Sequence, residues 1–158
     1  MKHTHTIIIN WHTSMLIDDD DYKGFLERSI NALDGQENWC SAMWRVEDPK
    51  SIDPEHANDA KNFIQAAGNN KRMVITVTYP DPSNGCTHTQ YQVGRSMKGI
   101  AGIVGKRKTT VAWNGGKTIV GRNEVFMAAE ALRIFEHYYR HDKVPNDCTL
   151  RYIDSISY

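Results

Sequence analysis

Residues 122–155, RNEVFMAAEALRIFEHYYRHDKVPNDCTLRYIDS, decide the fold, because every local signal in them agrees. Asn123 is placed to cap a helix whose first turn carries Glu124. Val125, Ala128, Leu132, Phe135 and Tyr139 then recur at three- and four-residue spacing as one apolar face. Arg140, His141 and Lys143 stand where a helix C-terminus favours positive charge, and Pro145 forbids continuation, so the helix is expected to end near His141. After the Pro-Asn-Asp turn, Cys148, Leu150 and Tyr152 alternate with polar partners, a period of two that reads as a closing strand from Thr149 to Ile153. A helix that hands its chain through a short loop to a terminal strand implies that it lies across a sheet. The expected class is α+β, a mainly antiparallel sheet of about six strands packed by two or three helices.

Working back from this block, Lys106 to Trp113 and Lys117 to Val120 read as a hairpin about Asn114-Gly115-Gly116. Arg72 to Pro80 and Thr87 to Val93 read as another, with the turn formers of residues 80–85 at its tip. Four consecutive antiparallel strands are the simplest arrangement. Between the hairpins, Arg95 to Gly105 is glycine-rich and basic.

In the first half, Thr6 to Trp11 is β-branched on both parities, which fits a strand buried on both faces. Asp18, Asp19, Asp20 and Asp21 precede a helical stripe of Tyr22, Phe25, Leu26, Ile30 and Leu33, with Gly35 as the stop. In Asn38 to Glu47 only Cys40, Ala42, Trp44 and Val46 form a wholly core-like parity, which leaves Trp39 and Met43 outside or against a helix. Pro54 to Ala67, with Asp53 capping and Ala57, Ala60, Ile64 and Ala67 on one side, is expected to be a second helix ended by Gly68.

The 158 residues fit a single domain, 1–158, that buries roughly two thirds of its unfolded surface. No apolar run approaches the roughly 20 residues of a membrane helix, and TIII at the start is too short for a signal peptide's apolar segment. Cys40, Cys86 and Cys148 are odd in number and lack CxxC spacing, which points to a reducing compartment and hence the cytoplasm. The formal net charge is zero, so a globally basic nucleic-acid binder is not expected. The zero conceals 12 acidic against 6 basic residues in 1–70 and 7 against 13 in 71–158.

No catalytic residue, metal set or cofactor motif emerges. Gly94, Gly99, Gly102 and Gly105 with Lys98, Lys106, Arg107 and Lys108 match neither the GxxxxGK[ST] phosphate loop nor GxGxxG, and read as a basic connection. If any part of the chain meets nucleic acid it is this one. His3, His5 and His12 lack zinc spacing, Cys86 with His88 lacks a positioning motif, and His137 with His141 form a surface face. DDDDYKG lacks the order of a calcium loop.

The C-terminal block resembles the end of the polymorphic-toxin immunity proteins, specifically the first of the numbered Imm families. The likeness rests on Glu130, Ala131, Leu132, Phe135, Tyr138, Pro145 and Tyr152, preceded by the glycine-turn hairpin WNGGKTIVG from Trp113 to Gly121. The resemblance implies a non-enzymatic bacterial protein that binds and neutralises a co-encoded toxin, frequently a nuclease or deaminase, as in contact-dependent inhibition. An inhibitor of a basic cleft gains from an acidic surface and an aromatic anchor. The candidate toxin-binding residues are therefore Asp18, Asp19, Asp20, Asp21, Trp39, Glu47, Asp48, Asp53 and Glu55. The alternatives are a small metal- or thiol-dependent enzyme using His3, His5, His12, Cys86 and His88, and a nucleic-acid module using Lys98 to Lys108. Oligomeric state is open.

Overall fold

Among the described residues, nine strands and two helices alternate in short, mostly antiparallel steps. The computed structural model describes residues 3–10, 12–46, 62–81, 88–98, 103 and 105–156. In chain order the elements are β1 (His3–Ile9), β2 (Thr13–Asp18), α1 (Tyr22–Asn31), β3 (Cys40–Arg45), β4 (Phe63–Asn69), β5 (Arg72–Pro80), β6 (His88–Arg95), β7 (Lys108–Trp113), β8 (Gly116–Gly121), α2 (Ala128–His141) and β9 (Cys148–Ile156). Seven strands make one antiparallel sheet in the order β2-β1-β3-β4-β5-β6-β9, and β7 with β8 makes a separate hairpin. The class is α+β. No helix among the described residues is long and apolar enough to cross a membrane.

Register explains where the core sits. Ile7 stands opposite Met43, Met43 opposite Ile64, and Ile64 opposite Val77, so one apolar row crosses four strands. That row shares a core with Leu26 and Ile30 of α1 and with Ile134, Phe135 and Tyr138 of α2, which places both helices on the same face. Each such fully buried side chain contributes about 1.5–3 kcal/mol through apolar area removed from water. On the opposite face, Val111 and Val120 of the hairpin pack against Ala67 and Val74. Ile7 and Ile8 are both buried, as a strand covered on two faces requires. Met43 faces the helices.

α2 ends at His141 where its C-terminal charges and Pro145 place it, with Asp142 in the left-handed region at φ 53°. Its buried side is centred on Ala131, Ile134, Phe135 and Tyr138, while Ala128 and Leu132 lie at the margin. β9 then pairs antiparallel with β6, with a bulge at Gln90/Tyr91. β5 and β6 form the expected hairpin, whose tip lies outside the described residues.

Four details differ from the sequence reading. Phe63–Asn69 is a strand between β3 and β5, so Ala66, Ala67 and Gly68 are small because both faces there are covered. A Cβ on Gly68, at φ 131°, would sit 2.4 Å from the Arg72 carbonyl and 3.2 Å from Val111 Cγ1. The rest of the expected Pro54–Ala67 helix, up to residue 61, lies outside the described residues. Second, the two hairpins are not four strands in sequence, because β9 takes the place beside β6 and β7–β8 folds over the opposite face. Third, Asn123 does not cap α2: Arg122–Glu124 is a 3-10 turn, and Phe126 bridges to Met73 in both directions before the helix begins. Glu130 instead accepts the Met127 N–H at 3.1 Å and serves that helix start. Fourth, β2 has no counterpart in the sequence reading; it follows a turn in which Asn10 takes φ 52°.

Candidate functional site

The acidic cluster closes β2 and opens α1, and much of its capacity is turned inward. Asp18 Oδ1 accepts the backbone N–H groups of Asp20 (3.2 Å) and Asp21 (3.1 Å), which satisfies donors at the helix start. Asp19 accepts the Tyr139 hydroxyl at 2.8 Å, tying the cluster to α2, while Asp20 and Asp21 are exposed. Tyr139 also stacks on Tyr22, ring centres 4.3 Å apart. Trp39 is half-buried just before β3, its N–H donating to Asn10 Oδ1 at 2.9 Å. The cluster lies at the Arg45 end of β3, since Asp18 pairs with His3 and His5 with Arg45, so about 20 Å of strand separates it from Trp39. A standard interface of about 800 Å² per partner spans such a distance. Glu47, Asp48, Asp53 and Glu55 lie outside the described residues.

The residues of the enzyme alternative are scattered. His5 is buried on β1, its Nε2 3.6 Å from Asp142 Oδ1 and its ring 4.2 Å from that of Tyr139. Burial first, and then the Arg45 charge, push its pKa down to about 4 against the pull of Asp142 and Asp19. His12 is exposed in the turn at the other end of the β1–β2 hairpin, and His88 is buried on β6. Cys86 lies outside the described residues. Among the described residues no three His, Cys, Asp or Glu side chains are grouped to hold a metal.

The feature that residue spacing does not reveal is a cavity of about 500 Å³ where β6, the start of β7, the end of β8 and β9 meet. Arg95, Lys106, Lys108 and Arg151 line it, with Glu124 as its one carboxylate. The two arginines are already engaged. Arg95 forks onto Glu130, Nε to Oε1 at 2.7 Å and Nη2 to Oε2 at 2.6 Å, and Arg151 forks onto Glu124 at 2.6 and 3.0 Å. Neither Lys106 nor Lys108 makes an ion pair with any described residue, so the unopposed charge in the cavity is theirs. Burial alone would raise the Glu124 pKa. The Arg151 fork, the Gly121 N–H and the charges of Arg151 and Lys108 outweigh it and hold the carboxyl below its ordinary range. Glu130 is also held low, chiefly by the Arg95 hydrogen bonds.

Asn123 forms part of the lining, and three glycines from separate elements close around it. A Cβ at Gly94 would lie 3.1 Å from Asn123 Nδ2, at Gly105 3.1 Å from Asn123 Cβ, and at Gly121 2.5 Å from Asn123 Oδ1. Glycine is required there because backbone must approach a side chain closely. Two of these glycines and two of these lysines belong to the basic connection read from sequence, whereas Asn123, Glu124, Arg95 and Arg151 were given no site role there. The only sequence signal for them was the density of glycine and basic residues between the two hairpins.

The outer edge of β9 adjoins the cavity. No strand pairs with it among the described residues, and Leu150 (42%), Tyr152 (57%) and Ile153 (40%) are exposed along it. The site thus combines open main-chain groups, apolar side chains and a cation-lined hollow. No protein-family model matches this chain, and no curated protein matches it either.

Proposed function

We propose that this chain is an immunity-type binding protein that neutralises a co-encoded bacterial toxin, possible targets being nucleases or deaminases, by seating on it and occluding its active site. The observation that carries the reading is the β9 edge. Along this nine-residue strand, about 30 Å long, the main-chain groups that face away from β6 pair with no strand among the described residues, beside Leu150, Tyr152 and Ile153. Such an edge is matched by a protein segment that completes its hydrogen bonds and covers its apolar side chains. α2 and β9 also carry the residues of the immunity-family resemblance, and Ala131, Phe135 and Tyr138 are core residues of α2, with Cys148 at the start of β9 packed against that core. On this reading the exposed carboxylates of Asp20 and Asp21 speed the approach to a basic toxin, and the protein acts in the cytoplasm, where the toxin is delivered.

Co-expression tests it. The variable C-terminal domain of a large secreted protein encoded beside this chain is induced in a bacterial host with and without the chain. Restored growth and co-elution of the two proteins on size exclusion are expected. Unrelieved toxicity with no co-elution would remove the reading.

A further inference from the structure

We propose that the cation-lined cavity binds the phosphate of a nucleotide, with Lys106 and Lys108 as its counter-charges. The inference does not rest on the toxin reading and stands or falls apart from it. Its starting point is the division of labour among the four cations. Arg95 and Arg151 are committed to Glu130 and Glu124, which fixes them as wall, whereas the two lysines line the cavity without an ion pair to any described residue, Lys108 acting on Glu124 only through its charge. Two ammonium groups with three donors each match a dianion. Ser96 and Thr149 line the same space. Residues with donor groups that come from beyond β6, from the start of β7 and from β9 suit a tetrahedral group with several oxygens better than a planar carboxylate with two.

The remaining lining indicates what the phosphate is attached to. Met97 and Leu150 both line the cavity and are 39% and 42% exposed, an apolar margin to a charged pocket. A cationic pocket with an apolar margin is the arrangement that receives a nucleotide, its charge on lysine and its base against Met97 and Leu150. The volume, about 500 Å³, falls in the usual ligand range of roughly 300–1,000 Å³. Any side chain at Gly94, Gly105 or Gly121 would press on the cavity lining, on Asn123 in each case. A net charge of zero over the chain does not oppose a local cationic site.

The source of the nucleotide is either a free mononucleotide or one unit of a single strand. The test titrates the full chain with adenosine monophosphate by calorimetry and with a fluorescently labelled oligodeoxythymidine by anisotropy, both at low salt. The comparison set is wild type, Lys106→Glu with Lys108→Glu, the charge-removing Lys106→Gln with Lys108→Gln, and a remote control, Lys23→Glu with Lys71→Glu. Circular dichroism confirms that all four fold alike. We expect both cavity pairs to weaken binding at least about tenfold and the control pair to stay within about twofold of wild type, with affinity falling as salt rises. Tighter binding of the oligonucleotide assigns a strand; equal or tighter binding of the monophosphate assigns the free nucleotide. No binding of either at low salt, equal tolerance of the cavity and control pairs, or equal affinity for a polyglutamate peptide would overturn the proposal.

Discussion

The acidic end of the sheet and the cation-lined corner are built from similar numbers of charges and use them in opposite ways. At the acidic end the carboxylates serve local structure: Asp18 holds two backbone N–H groups, Asp19 holds Tyr139, and only Asp20 and Asp21 face outward uncommitted. At the basic corner the arginines are bound into long-range forks, to Glu124 across 27 residues and to Glu130 across 35, and this leaves lysines as the available charge. Part of a run of like charges beside a helix is thus taken up by local contacts, whereas charges gathered from distant strands enclose a space.

The largest effect expected from the comparison belongs to the acidic end and comes from His5. In the unfolded chain a histidine takes its proton near 6.5, but in the fold only near 4, because burial and the Arg45 charge oppose it more than Asp142 and Asp19 favour it. Between those values the unfolded state binds more protons. The stability is complete above pH 6.5 and is lost as pH falls toward 4, by up to about 3 kcal/mol. Urea unfolding at neutral pH and near pH 4.5 measures it. An NMR titration in which the His5 ring charges near its ordinary value would defeat the account. The basic corner behaves differently: Glu124 and Glu130 are held low, so their contribution is present above the ordinary carboxylate range and fades only as pH falls through their lowered values.

The next effect is Glu124→Ala. Glu124 is 6% exposed and accepts from Arg151 and from the Gly121 N–H at 2.7 Å, so truncation leaves a buried donor and a cation without partners. A loss of about 2 kcal/mol is expected, read from the urea midpoint, with Glu124→Gln recovering part of it through the Gly121 contact. An unchanged midpoint would mean that water replaces the carboxylate at no cost, and that the corner is less firmly constructed than its hydrogen bonds imply.

What was legible in the sequence follows the same division between local and distant. α2, its stop at Pro145 and the β9 that follows were readable because apolar spacing, terminal charge and proline act over a few residues. β4 was not, because Ala66, Ala67 and Gly68 look like the close-packing side of a helix unless β3, β5 and the β7–β8 hairpin are known to enclose them. The N-cap assigned to Asn123 failed for a related reason: Phe126 is drawn into a bridge with Met73, and the helix can begin only after it. The basic connection was visible as composition. Its pairing with Asn123 and the two forks was not, since Gly94, Gly105 and Gly121 converge only when β6, the turn ahead of β7 and the end of β8 are brought together.

The smallest expected effect on stability separates the two regions most directly. Asp20→Lys with Asp21→Lys touches exposed side chains whose carboxylates bind no described residue, so stability should stay within about 0.5 kcal/mol. Their role, if the toxin reading holds, is in the approach: the double variant should slow association with the toxin and flatten its dependence on salt, leaving dissociation unchanged. Tyr152→Ala on the β9 edge should do the reverse, and Trp39→Ala, half-buried at the far end of β3, should speed dissociation less. Surface plasmon resonance over a range of ionic strength resolves both rate constants. Wild-type kinetics for the aspartate pair would show that this cluster is a helix start and nothing more, and would leave the β9 edge as the whole of the interface.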